Sequence, residues 1–248
     1  MRHTTLLFLV ITSLAVSVAC ASDARAAEQP GRIFIPILVF NLNGSGGTLW
    51  DTDLWVTNTS DQPVLYQIAP CNQSADCKGA NTFPPQSMLT IGDPTPRPTG
   101  RWLPVDPAVQ LEARLRDLSR NTSSAGIELP LVREADFRAD EIDLNAIPRD
   151  AGFRITLRVY GLDAGGDVTL EQLDLKGNVL STTAVSLAPP AVPGLLPGYA
   201  QLALDTLPDP TPIRLRMRPR TPNLRIWALA SITNNATSEV TLVQPYRQ

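Results

Sequence analysis

The sequence predicts an all-β protein of two tandem antiparallel β-sandwiches, and three observations carry that prediction. Apolar and polar residues alternate with a period of two: Trp50, Thr52, Leu54 and Val56 against Asp51, Asp53, Trp55 and Thr57. That period puts successive side chains on opposite faces of a half-buried strand. The prolines gather in loops such as GDPTPRPTG (92–100) and APPAVPGLLPG (188–198), and strong helical periodicity is missing. The order of blocks then begins again. Setting Trp50 on Phe153 sets Leu54 on Leu157 and Val56 on Val159, an offset of 103 residues. Solenoid repeats run about 20–50 residues, so this spacing points to two copies of one sandwich, the alternative being one larger sandwich.

The elements follow in order. Residues 1–26 read as a secretory signal: Arg2 and His3, an apolar run from Thr4 to Ala19, and small residues around Ala21 and Ala26 that suit cleavage. The run is shorter than the roughly 20 apolar residues of a membrane span, and the mature chain is expected to be soluble. Val18-Ala19-Cys20 also fits a lipoprotein signal, although Ser17 stands where an aliphatic residue is usual. Lipidation of Cys20 is therefore the alternative to ordinary cleavage, and the only route predicted to a membrane. The first domain is expected over 27–125 and the second over 126–248. Arg32–Phe40 is a β-rich run broken by Pro36, which suits an edge strand or a bulge. The Trp50–Thr57 strand ends in the turn residues Asn58–Pro63. Val64–Ala69, Met88–Ile91 and Val109–Leu115 are further strands. A short helix is expected at Arg133–Phe137. Val168–Leu175 and Val179–Leu187 form a hairpin about Lys176-Gly177-Asn178. Ile213–Met217, Leu224–Thr233 and Val240–Val243 close the chain.

The blocks FIPILVF, WDTDLWVTNTSDQPV, SAGIELPLVREADF, FRITLRVY and WALASITNNATSEVTLVQP resemble a group of secreted bacterial proteins built from tandem immunoglobulin-like β-sandwiches. In that group a W-x-T-D-L strand comes early and a W-A-x-x-S-x-x-N-N-x-T hairpin late. The likeness covers most of residues 32–248. It implies two Ig-like domains and an exported location, and it carries over no activity, cofactor or catalytic residue.

Composition excludes several mechanisms. The only histidine is His3, inside the signal, so no imidazole remains to activate a Ser or Cys nucleophile. A Ser-Lys pair could use only Lys78 or Lys176, which sit beside the cysteine loop and in a hairpin turn. Carboxylate-only glycoside hydrolysis needs two groups at a set separation. Asp51 and Asp53 lie about 7 Å apart on one strand face, and both are expected to be solvated. Glu134, Asp136, Asp140, Glu141 and Asp143 form an acidic cluster that lacks EF-hand spacing; it reads as a solvated charge run, with a structural Ca²⁺ site the alternative. NGSGGT (43–48) leads into a strand and lacks the helix N-terminus that holds a phosphate. Cys71 and Cys77, six residues apart in CNQSADC, are expected to close a small disulfide loop worth about 2–3 kcal/mol. No metal and no cofactor is predicted. The net charge of −3 carries no nucleic-acid signal.

Outward strand faces are the remaining candidates. The first half presents Asp51, Asp53 and Trp55. The second presents Arg154, Arg158 and Tyr160, with an arginine ladder of Arg214, Arg216 and Arg218. These faces are read in three ways: docking the halves on each other, binding an anionic or sugar ligand through arginine forks and aromatic rings, or solvated faces with local carboxylate partners. The predicted function is a non-catalytic exported protein that binds or scaffolds a macromolecule, either a polysaccharide or an envelope protein. A carbohydrate-binding module serving a separate enzyme is the second reading.

Overall fold

The computed structural model describes residues 31–44, 47–67, 80–91, 100–119, 125–205 and 211–246. Among them the chain is all-β, with antiparallel sheets and no α-helix. The first strands are β1 (Arg32–Ile35), β2 (Leu42–Asn43), β3 (Leu49–Asn58), β4 (Val64–Gln67) and β5 (Ala80–Phe83). They are followed by β6 (Met88–Ile91), β7 (Arg101–Pro104), β8 (Val109–Asp117), β9 (Ile127–Glu128) and β10 (Val132–Arg133). A 3-10 turn at Glu134–Asp136 stands where the short helix is predicted. Then come β11 (Ile142–Ile147), β12 (Phe153–Gly161), β13 (Gly166–Leu173) and β14 (Val179–Leu187). The last are β15 (Gly198–Leu204), β16 (Ile213–Pro219), β17 (Ile226–Asn234) and β18 (Val240–Val243).

β1 ends at Pro36, which has no N–H to continue a ladder. β3 runs the length of its alternation and stops at Asn58, which is fully buried. The Asn58 amide donates to the Gln62, Phe83 and Pro84 carbonyls at 2.8, 3.1 and 3.0 Å, and its Oδ1 accepts from the Ser60 amide and hydroxyl. The polar tail of that strand is therefore a folded knot. β7, β11 and β15 lie where no strand is predicted. β7 has four residues and ends in proline, and the alternation of Ile142 and Leu144 in β11 is masked by acidic neighbours.

In the second half, β11-β16-β13-β14 forms one sheet and β15-β12-β17-β18 another. Their inward residues meet in one core: Leu144, Leu170, Leu215 and Met217 from the first sheet, and Leu157, Val159, Ala228 and Ala230 from the second. The first half repeats this pairing. β1·β7, β3·β6, β3·β8, β4·β5 and β8·β9 correspond in order to β11·β16, β12·β15, β12·β17, β13·β14 and β17·β18. Register agrees too: Leu54 faces Ala113, and Leu157, its counterpart at the predicted offset, faces Ala230. The β13·β16 ladder has no counterpart among the described residues; the Tyr66 hydroxyl reaches the Pro104 carbonyl at 2.7 Å instead.

The strand order has its own character. An immunoglobulin constant domain pairs its second strand with the fifth and its third with the sixth, as β12·β15 and β13·β16 do here. The outer strands differ. The first lies beside the sixth (β11·β16) and the seventh beside the second (β12·β17), the reverse of the immunoglobulin assignment.

The two halves are packed together. Phe34, Trp102 and Phe137 form an aromatic cluster in the first core, and Tyr160, Trp227 and Leu229 enter it from the outer face of β12 and β17. Phe34 lies 4.8 Å from Tyr160 and 6.2 Å from Trp227 between ring centroids, both edge-on, the geometry that aromatic quadrupoles favour. The loop after β14 folds back as well: the Trp102 amide donates to the Leu195 carbonyl at 2.8 Å. Arg32 donates to Glu134 and Asp163 and lies 4.6 Å over the Trp102 ring. β10 adds to the free edge of β1, so strand pairing runs on past residue 125.

Candidate functional site

The predicted faces fall into three situations. On β3, the partner strand β8 supplies counter-charges, because the register sets Asp51 opposite Arg116 and Asp53 opposite Arg114. Arg116 grips Asp53, with Nε at 2.5 Å from Oδ2 and Nη2 at 2.9 Å from Oδ1. Asp53 is only 8% exposed, which corrects its placement as a solvated carboxylate. Trp55 is half-buried, with Arg114 at 5.8 Å over its ring. Asp53 is thus engaged in a strand-to-strand ion pair, whereas Asp51 Oδ1 is buried without a hydrogen-bond partner.

The arginine ladder of β16 is paired in the same manner. Arg216 Nε lies 3.0 Å from Asp143 on β11, Arg214 lies 3.7 Å from the same carboxylate, and Arg218 reaches Glu141 at 3.0 Å and Glu171 at 3.4 Å. The hydrogen bond to Asp143 is the main cause that raises the Arg216 pKa above its ordinary value. The same contacts occupy Glu141 and Asp143 of the acidic cluster. Arg138 holds Asp140 at 2.7 Å and keeps its carboxyl below the usual range. Among the described residues no group of three or more His, Cys, Asp or Glu is placed to hold a metal.

Tyr160 is a second correction. It is predicted outward but is fully buried, because Phe34 and Trp227 cover it. Its hydroxyl donates to the Pro36 carbonyl at 2.6 Å. Burial pushes its pKa well above the ordinary tyrosine value, and the nearby Arg158 charge only partly opposes that. Cys20, Cys71 and Cys77 lie outside the described residues.

Arg154 and Arg158 share the outer face of β12 with Tyr160. Past the buried aromatics this face opens into a cleft of about 280 Å³ between the halves. Its floor is polar: Arg154, Thr156 and Arg158 from β12, Gln201 from β15, Ser231 and Thr233 from β17. Its wall is largely apolar and comes from the first half: Ile37, Val39, Leu42, Trp50 and Leu115. Among the described residues that line it there is no Asp or Glu. Arg158 is half-buried and donates from Nη1 to Ser231 Oγ at 2.8 Å, while its Nε is buried without a hydrogen-bond partner. The Trp50 indole N–H donates to Thr48 Oγ1 at 3.0 Å, which fixes the ring on the wall. Two of the predicted residues thus come together with Trp50, Gln201 and Ser231, which sequence reasoning did not single out. The alternation of its strand points Trp50 to the core, Gln201 lies on an unpredicted strand, and Ser231 falls within a hairpin motif.

The second exposed feature is β14. It is the last strand of its sheet, and Val179–Leu187 contains no charged residue and no proline. Residues 179–184 are all exposed, and Leu175, Val179 and Leu180 are 73%, 53% and 50% exposed. The opposite edge is guarded: β11 carries Asp143, a break in register after Leu144, and Ala146 at φ +57°, a bulge of the kind that blunts edges.

No helix among the described residues is long and apolar enough to cross a membrane. Comparison with protein-family models, with curated proteins and with solved structures found no match to this chain.

Proposed function

We propose that this is an exported, non-catalytic binding protein of the cell envelope or extracellular space, built from two tandem sandwiches with an Ig-like four-strand centre. In this reading it holds an extended segment of another envelope protein along β14. The observation that carries the reading is that edge: nine residues long, uncharged, with no strand on its outer side among the described residues, preceded by exposed Leu175 and carrying exposed Val179 and Leu180. Open edges of this kind accept an added strand through backbone hydrogen bonds. The engagement of Asp53, Asp140, Glu141 and Asp143 with arginines supports the non-catalytic reading over a glycosidase, which needs one carboxyl held protonated and another free. Export rests on the signal-like residues 1–26 and on the resemblance to secreted tandem-sandwich proteins. Trp50 on the wall of a cleft favours the carbohydrate-binding module as the second reading.

The test is a photoreactive residue at Thr182 in cells that make the protein. A discrete cross-linked adduct is expected. The double variant Leu180→Lys with Ala184→Lys should abolish it while moving the thermal midpoint by less than about 2 °C. Failure to form an adduct, or an adduct indifferent to the two lysines, overturns the reading.

A further inference from the structure

We infer that the cleft between the halves is a binding site for a ring-sized organic acid, with Arg158 as the anchor for its carboxylate and Trp50 as the surface for its ring. The inference is independent of strand addition at β14.

Charge is the first argument. Arg32, Arg114, Arg116, Arg138 and the β16 arginines each lie within an ion-pair distance of a carboxylate. Arg158 has none among the described residues, although it is half-buried. Its side-chain contacts are the neutral Ser231 hydroxyl and the Tyr199 phenol, and its Nε is buried and unpartnered. The titratable groups beside it are Tyr160 and Tyr199, and burial raises both phenols, so neither supplies a counter-ion near neutrality. A guanidinium withdrawn from water with an unused N–H is costly unless an anion completes it, and a carboxylate matches its fork.

Shape is the second argument. A space of about 280 Å³ lies at the lower end of small-molecule sites, roughly 300 Å³ and upward, and accommodates a single ring. Trp50 and the aliphatic wall present an apolar surface opposite the polar floor, so a ligand with one apolar face and one charged edge matches both sides. Arg154 lies four residues from Arg158 on the same strand face, about 13 Å along β12. It is exposed, which suits a residue that draws an anion in. A uronic acid and an aromatic acid share this chemistry.

Isothermal titration of the purified protein with glucuronate, with benzoate and with uncharged methyl glucoside tests the inference. At least one of the two acids should bind with a Kd of about 0.1–1 mM, more weakly at high salt, and methyl glucoside should not bind. Glucuronate alone would identify the source as an acidic sugar, and benzoate alone as an aromatic acid. Arg158→Gln should weaken binding at least about tenfold, and Trp50→Leu should weaken it too. Ser231→Asp is the control against misfolding: it sets a carboxylate against Arg158, so it should abolish binding while the thermal midpoint is kept or raised. Failure of both acids to bind at about 10 mM, or undiminished binding by a folded Ser231→Asp protein, overturns the inference.

Discussion

Asn58 shows how one side chain converts a strand into a turn. Its amide and carbonyl together satisfy three backbone carbonyls and the Ser60 amide and hydroxyl, in a position with no exposure. Removing it leaves the buried Phe83 carbonyl and two partly buried carbonyls without this donor, and a buried orphan costs about 1–3 kcal/mol. Asn58→Ala should therefore destabilise the protein by about 2–4 kcal/mol in chemical unfolding, whereas alanine at the neighbouring exposed Thr59 should cost far less. The turn was legible in Asn58–Pro63, but the burial of Asn58 was not. A turn residue reads as polar surface until the chain is seen to fold back over it. Tyr160 errs in the opposite sense: local alternation places it outward, and residues distant in the chain, Phe34 and Trp227, bury it.

The strand pair β12·β15 illustrates what an element requires of its neighbours. Gly161 and Gly198 face each other in this ladder, and a Cβ on either would overlap the Ala164 carbonyl oxygen of the following turn. Backbone cannot yield as a flexible side chain can. Gly198→Ala should accordingly cost about 2 kcal/mol or more, in the range of overpacked sites, read as a lowered thermal midpoint. Alanine at Gly31, where nothing lies within 4 Å, should be close to neutral. The hairpin of β13 and β14 was readable from its alternation and its Lys176-Gly177-Asn178 turn, and Asp174 confirms the turn by accepting from the Lys176 and Asn178 amides at 2.8 Å. That β14 would end its sheet was not readable. Strand order depends on which distant strand arrives beside it.

At the level of the molecule, the packed aromatic seam makes the halves interdependent. Tyr160 belongs to the second half by chain and to the first by core. Its phenol is held neutral by burial, so its folded pKa lies above the unfolded value of about 10. The stability this contributes is fully present below about pH 10 and is lost as pH rises beyond it, because the unfolded chain then ionises first. Tyr66 and Tyr199 are shifted in the same direction, burial again being the main cause. Tyr160→Phe should cost about 1–3 kcal/mol at neutral pH, through the orphaned Pro36 carbonyl. It should also show a shallower loss of stability between about pH 10 and 12. Calorimetry of both proteins across that range checks the two effects together.

Alternation, turn residues and the recurrence of blocks settle the all-β class, most of the long strands, and the correspondence of β3 with β12, because each is a local property written at a spacing of two residues or repeated along the chain. The absence of imidazole beyond His3 is likewise complete in the composition. Tertiary structure alone decides which outward face is solvent, which is seam and which is cleft. Arg158, Tyr160 and Arg216 all occupy outward positions of regular strands. One meets a cavity, one a phenylalanine and one an aspartate, because a side chain's partner is set by long-range strand pairing and by the docking of the halves.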